Sequence, residues 1–308
     1  MKNILFINYG VGGSEALNPL YLKFKQEGFN VENISIAEFN LSKLDDAQFV
    51  EESDIYDYIK DKNPVLVINE RSNGLDVQNK ITKFCKEKNI FNICVLDMYG
   101  NYQSRLLEKP DYLIVPEKDI YEDLIISGYP EDKMAIGGNP AFDVLDKYTY
   151  YKNNNPERYK ILYTSQPLKE RTNKDQFLIL KNFLNVFDLS GMKYDLYIKL
   201  HPNEIIENWK DYESNLVENC CQEEMVFYMG YDLIFGYRST PMMKTRMIGI
   251  PTVFYDVIKS QEELSLIVEN YLQQGMIQQY HRYMDFEKNA TNKCCKIIVD
   301  ILKDKRLL

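Results

Sequence analysis

Histidine is almost missing from this 308-residue chain: His201 and His281 are its two, and Trp209 is its single tryptophan. So few imidazoles leave little to build a histidine-ligated metal centre from. The six cysteines do not supply one either. Cys85, Cys94, Cys220, Cys221, Cys294 and Cys295 contain no Cys-x-x-Cys spacing, and neither histidine lies near a cysteine in sequence. The reading is no metal and no cofactor. The two vicinal cysteine pairs read as small apolar helix or strand residues, and this usage fits a reducing cytoplasm. Surplus positive charge is lacking too, with 37 Lys and Arg against 46 Asp and Glu, a formal net charge of −9. That excludes a general nucleic-acid binder, which needs a basic face for phosphates. It also excludes a polybasic lipid-binding surface. No apolar run approaches the roughly 20 residues of a transmembrane segment. The opening stretch Met1–Asn8 is too short and too weakly charged for a signal peptide. A soluble, acidic, cytoplasmic protein is expected.

What the chain does contain is a 45% share of hydrophobic residues, enough for a proper core. Short apolar runs alternate with helical patterns along its length. Lys2–Asn8, Val65–Asn69, Asn92–Leu96 and Tyr112–Val115 read as strands, and Pro19–Glu27, Asp76–Lys88 and Ile120–Ser127 as helices. The polar stretch Tyr148–Tyr159, with its run of Asn and a Pro, interrupts the pattern and reads as a linker. Strand-like runs then resume at Lys160–Thr164, Asp195–Leu200, Asp232–Phe235 and Thr252–Tyr255, and Thr291–Leu302 reads as a terminal amphipathic helix. Continuous apolar strands between helices predict parallel sheets covered on both faces. The expected architecture is α/β: two doubly wound Rossmann-like domains, 1–150 and 151–308, facing a cleft. Ligands of such folds bind beyond the carboxyl ends of the strands, so residues just after each strand are the ones to examine.

The first is Gly10-Val11-Gly12-Gly13-Ser14-Glu15, which is neither a dinucleotide fingerprint nor a Walker loop. It reads either as a tight strand-to-helix turn or as a loop for an acceptor or sugar. Glu70, followed by the small Ser72-Asn73-Gly74 turn, is placed where a general base would sit; the alternative is a solvated carboxylate paired with Arg71. Asp97 opens a polar, aromatic run after the next strand and is the other candidate base or acceptor-site residue. His201 directly ends a strand, and Pro202 stops the ladder, which presents the imidazole at the site edge. His281 has no such setting and reads as a surface residue. Ser239 and Thr240, beside Arg238, open the helix Met242–Ile248. They read as an N-cap, a phosphate cradle, or both.

These residues carry a resemblance. The chain resembles glycosyltransferases of the two-Rossmann GT-B fold, in the branch of polysialyltransferases and CDP-glycerol glycerophosphotransferases that make capsule or cell-surface glycans. His201-Pro202 and Ser239-Thr240 match that branch's His-Pro and Ser-Ser/Thr motifs. The stretch Gly128–Asp143 resembles the run Gly-x-Pro-x-x-Lys-Ile-x-x-x-Gly-Asn-Pro-x-x-Asp of many GT-B enzymes and of UDP-N-acetylglucosamine 2-epimerases. Gly12-Gly13 is similar in place to the acceptor-side loop of the peptidoglycan N-acetylglucosaminyltransferase, with Ser14 where that loop carries a His. The resemblance implies an acceptor-side N-terminal domain and a nucleotide-donor C-terminal domain. It implies metal-independent transfer of a sugar or polyol phosphate from a CMP-, CDP- or UDP-type donor. The acceptor would be a glycan or lipid-linked molecule, and the enzyme cytoplasmic, with peripheral work at the inner membrane face. His201, Pro202, Arg238, Ser239 and Thr240 would hold the leaving phosphate, and Glu70 or Asp97 would take the acceptor's proton. The alternatives are a 2-epimerase or hydrolase on the same fold and a non-catalytic glycan-binding protein.

Overall fold

A computed structural model describes residues 2–71, 76–97, 102–151, 157–168, 175–201, 204–217, 224–274, 277 and 287–307. Its first half runs β1 (Asn3–Asn8), α1 (Val11–Gln26), β2 (Asn30–Ser35), β3 (Gln48–Phe49), α2 (Ile55–Lys62) and β4 (Leu66–Arg71). It continues with α3 (Asp76–Glu87), β5 (Phe91–Leu96), α4 (Tyr102–Arg105), β6 (Tyr112–Val115), α5 (Lys118–Ile126) and β7 (Met134–Ile136). The second half runs β8 (Tyr159–Thr164), α6 (Gln176–Leu189), β9 (Tyr194–Lys199), α7 (Glu224–Tyr228) and β10 (Leu233–Gly236). It closes with α8 (Thr240–Met247), β11 (Thr252–Phe254), α9 (Gln261–Gln274) and α10 (Ala290–Asp304). Among the described residues the strands form two sheets, a seven-stranded one ordered β3-β2-β1-β4-β5-β6-β7 and a four-stranded one ordered β11-β10-β8-β9. Every pairing is parallel. The expected doubly wound α/β architecture is therefore present in each.

Alternation along the strands explains the layering. In the first sheet Ile4, Phe6, Leu66, Ile68, Ile93 and Val95 pack on one face against Leu17, Leu20 and Phe24 of α1. Their neighbours Leu5, Ile7 and Val67 pack on the other, against Ile55 and Ile59 of α2 and Val77 and Ile81 of α3. In the second sheet Ile161, Tyr163, Ile198, Phe235 and Val253 meet Phe183 and Phe187 of α6 and Leu264 and Val268 of α9.

The structure departs from the sequence reading in three places. Helix α1 begins at Val11 rather than at Pro19, which it contains, because Gly10 caps it in an extended conformation and Gly13 and Ser14 are buried. Strands β2, β3 and β7 were not legible. β2 is polar, but its Asn33 is satisfied inside the fold, accepting from Asn8 Nδ2 at 2.7 Å and donating to the Asp45 carbonyl at 2.9 Å. Third, the compact units are not a linear split. The first comprises Met1–Val144 with Arg282–Leu308, and the second Leu145–His281. The reason is α10, whose Cys294, Cys295, Ile298 and Leu302 join the α1 face of the first sheet. Of the expected linker, residues 152–156 lie outside the described residues, as do Cys220, Cys221 and His281.

The Gly137-Gly138-Asn139-Pro140 run with Asp143 holds that returning helix. A Cβ on Gly137 would lie 2.5 Å from Ile114 and 2.6 Å from Cys294 Sγ, and Gly138 adopts φ +93° against Ala290. The α10 N-cap position, Asn289, makes no side-chain cap bond. Asp143 caps the helix instead, accepting from the Ala290 and Thr291 amides at 2.8 and 2.7 Å. An N-cap is worth about 0.5–2 kcal/mol. Asp143→Ala should therefore lower the melting temperature and speed proteolysis at the C-terminus, whereas Asp143→Asn should lose less. An unchanged melting curve in Asp143→Ala would show the clasp to be dispensable.

Candidate active site

In doubly wound sheets the ligand crevice opens where the strand order reverses. In the first sheet that point lies between β1 and β4, and in the second between β8 and β10.

At the first switch point the chain has filled its own anion site. Glu70 does not follow β4 in a solvated loop, as the sequence suggested. It lies within the strand, level with Val95 of β5, and is fully buried. Its Oε1 accepts from the Gly10 amide at 2.8 Å and the Tyr9 amide at 3.2 Å. Those amides precede α1, whose N-terminal dipole favours negative charge. Gly13 is glycine because of this carboxylate, since a Cβ there would sit 2.3 Å from Glu70 Cδ. Gly12, Gly13, Ser14 and Glu15 are thus the first turn of α1 and not a free loop. Nor does Arg71 pair with Glu70 as the sequence alternative had it; its guanidinium donates to Thr82 and to the Glu108 carbonyl. The Ser72-Asn73-Gly74 turn lies outside the described residues.

Asp97 follows β5 and keeps 6% of its surface exposed. Its Oδ1 accepts from the buried guanidinium of Arg105, which also donates to the Arg71 carbonyl. Its Oδ2 faces α1, where a Cβ on Gly12 would come within 3.1 Å. Asn139 fixes the backbone here by donating to the Asp97 carbonyl at 3.1 Å. Glu117, buried after β6, caps α5 through the Ile120 amide at 3.2 Å. Three acids therefore stand at or beside the carboxyl ends of neighbouring strands β4, β5 and β6. Arg105 was missed in sequence because its partners, Asp97 and the Arg71 carbonyl, are brought to it only by the fold, whereas Glu117 caps α5 through Ile120, three residues on, a local signal the sequence reading passed over.

At the second switch point β8 and β10 approach closely. A Cβ on Gly236 would lie 2.5 Å from the Thr164 carbonyl, so only glycine fits. Gln166, just after β8, donates to the carbonyls of Tyr237 and Arg238 at 3.3 and 3.0 Å. This ties down the loop that delivers Ser239, the N-cap of α8, whose hydroxyl accepts from the Met242 amide at 3.5 Å. Thr240 is the first residue of that helix. Both hydroxyls are half-buried at the helix N-terminus, so capping and anion binding are compatible there. Arg238 is less available than expected, because its guanidinium pairs with Asp256 at 2.7 Å.

His201 stands two residues beyond β9 and is half-buried; Pro202 lies outside the described residues. The loop carrying His201 is held by Glu204, which the sequence reading did not single out. Glu204 Oε2 accepts from the His201 amide at 2.9 Å and its Oε1 from the Ser165 hydroxyl at 2.8 Å. Burial raises the Glu204 carboxyl above its ordinary value, opposed by these two bonds. Burial also lowers the Lys199 ammonium at the end of β9, opposed by Glu224. No group of acids, cysteines and histidines among the described residues is arranged to hold a metal ion. Likewise, no described helix is long and apolar enough to cross a membrane.

No protein-family model and no curated protein sequence matches the chain. Solved structures do match its fold. A putative UDP-N-acetylglucosamine 2-epimerase from Listeria monocytogenes superposes with a TM-score of 0.69 at 14% identity, over 100% of this chain and 98% of that one. MurG from Acinetobacter baumannii gives 0.60 at 12% identity, over 97% of this chain and 100% of that one. The wall teichoic acid polymerase TagF gives 0.56 at 15% identity, over 98% and 89%. At such identities the likeness is one of fold, the two-Rossmann GT-B type.

Proposed function

We propose that the protein acts on a nucleotide-activated sugar or polyol phosphate, transferring it to a glycan or lipid-linked acceptor. The observation that carries this reading is the switch point between β8 and β10. There Gln166 braces the loop that presents Ser239 and Thr240 at the N-terminus of α8. Together with His201 these groups would take the donor's phosphates, the helix N-terminus adding fixed positive potential as the nucleotide leaves. A CMP, CDP or UDP donor fits this chemistry. In the first unit Asp97 is the better base, because Glu70 is fully buried with Oε1 already accepting two amides. A base must reach the proton it removes.

A second reading, a 2-epimerase or hydrolase, is supported by the likeness of fold to a UDP-N-acetylglucosamine 2-epimerase and by Asp97, the one of the three strand-end acids that keeps exposed surface. A carboxylate there would serve the elimination about the anomeric carbon that such chemistry uses. Supplying the nucleotide sugar alone separates the two. An epimer, glycal or free sugar formed without acceptor favours the second reading; turnover only with acceptor favours transfer.

The test of the nucleotide site is His201→Ala. A charge-assisted hydrogen bond contributes about 1.5–3 kcal/mol. Affinity for the nucleotide measured by calorimetry should fall roughly ten- to a hundredfold, with the melting curve unchanged. A folded variant that binds as the wild type does would remove His201 from the site.

A further inference from the structure

We propose that Glu204 is the positioning residue of the nucleotide site, joining the loops that follow β8 and β9 into one surface. The inference rests on the nucleotide reading above and assigns a role to a side chain outside the phosphate-binding set.

The geometry is that of a knot. One carboxylate accepts from Ser165 after β8, at 2.8 Å, and from the backbone of His201 after β9, at 2.9 Å. The Trp209 indole lies beside this carboxylate. Trp209 itself is anchored in the core, its ring centroid 4.6 Å from that of Phe177 and 6.2 Å from that of Tyr163. The loop bearing His201 is therefore referenced to the sheet through Glu204. The site is an expensive one for a carboxylate, since burial opposes its charge and the two donors must compensate. A packed apolar side chain would cover the same core without orienting either loop. What the carboxylate adds is direction.

Length, more than charge, should matter. A glutamine spans the same distance: its carbonyl can accept from the His201 amide while its NH2 donates to the Ser165 oxygen. An aspartate keeps the charge but is one methylene too short to meet both. The experiment titrates full-length Glu204→Ala, Glu204→Asp and Glu204→Gln with UDP, CDP and CMP by calorimetry. Trp209, the only indole, provides a fluorescence signal beside the knot. The nucleotide that the wild type binds should bind about tenfold more weakly to the Ala and Asp variants and close to normally to Gln, given the bonds lost. The fluorescence change on binding should follow the same order. Combining Glu204→Ala with His201→Ala should weaken binding no further than His201→Ala alone, because the first acts through the second.

Several outcomes overturn the proposal. A folded Ala variant with wild-type affinity removes Glu204 from the site. Normal binding by Asp with weakened binding by Gln makes charge the determinant, which the knot does not allow. Additive losses in the double variant deny the route through His201. A wild type that binds none of the three nucleotides overturns the nucleotide reading itself, and the role of Glu204 falls with it. Binding by the wild type separates that failure from the others.

Discussion

Asp97→Asn should lower turnover by about a hundred- to ten-thousandfold while nucleotide affinity stays near that of the wild type. That is the range contributed by a positioned general base. The split follows from placement: Asp97 follows β5 of the first sheet, whereas the proposed phosphate groups stand at the ends of β9 and β10 in the second. The variant carries a structural cost that must be separated from the chemical one. Asp97 faces the buried guanidinium of Arg105, and removing one partner of a buried pair costs about 3–5 kcal/mol because the other is left uncompensated. A lower melting temperature is therefore expected in Asp97→Asn alone. Adding Arg105→Gln removes the stranded charge, so stability should recover while turnover stays low. Should the double variant regain turnover, Asp97 would be a partner for Arg105 and nothing more, and the base would lie elsewhere, with Glu15 the next candidate. Loss of nucleotide affinity in the single variant would equally count against a base.

How much of this was legible in the sequence depended on whether a residue's role was local. The apolar runs of β1, β5, β6, β8, β10 and β11 announce themselves because both faces of each are buried. β2 does not, because its burial is polar and satisfied only by contacts formed in the fold. Ser239 was recognisable as a cap because its partner, Met242, is three residues away. The Gly137–Asp143 run was recognisable as a motif, but its work, seating and capping α10, links residues 147 and 148 positions apart. Glu204 and Arg105 are ordinary charged residues in sequence. Only partners far along the chain, Ser165 for Glu204 and the Arg71 carbonyl for Arg105, single them out. Glu70 shows the converse. A carboxylate near a strand end looks like a base until the structure gives it two amides to hold and no exposed surface.

That assignment of Glu70 leads to the largest expected effect on folding. Gly13→Ala should destabilise the protein severely, although alanine is ordinarily the better helix former by about 1 kcal/mol. The added methyl would lie 2.3 Å from both Cγ and Cδ of Glu70. These atoms cannot swing aside cheaply, since the carboxylate is held by the Tyr9 and Gly10 amides and packed without exposure. Overpacking of this kind costs about 1–3 kcal/mol, and breaking the two amide bonds to relieve it adds about 1–3 kcal/mol for each donor left unsatisfied. Glu70→Ala should also destabilise, through the same two orphaned amides. The pair is where the argument becomes specific. Once Glu70 is shortened, the space that Gly13 kept open is vacant, and the methyl added at position 13 fills part of it. Gly13→Ala should then cost little, or even stabilise, in the Glu70→Ala background, a strong departure from additivity. Denaturant melts of the four proteins measure it. If the two losses simply add, the carboxylate and the glycine are not fitted to each other, and the first switch point is open to a ligand after all.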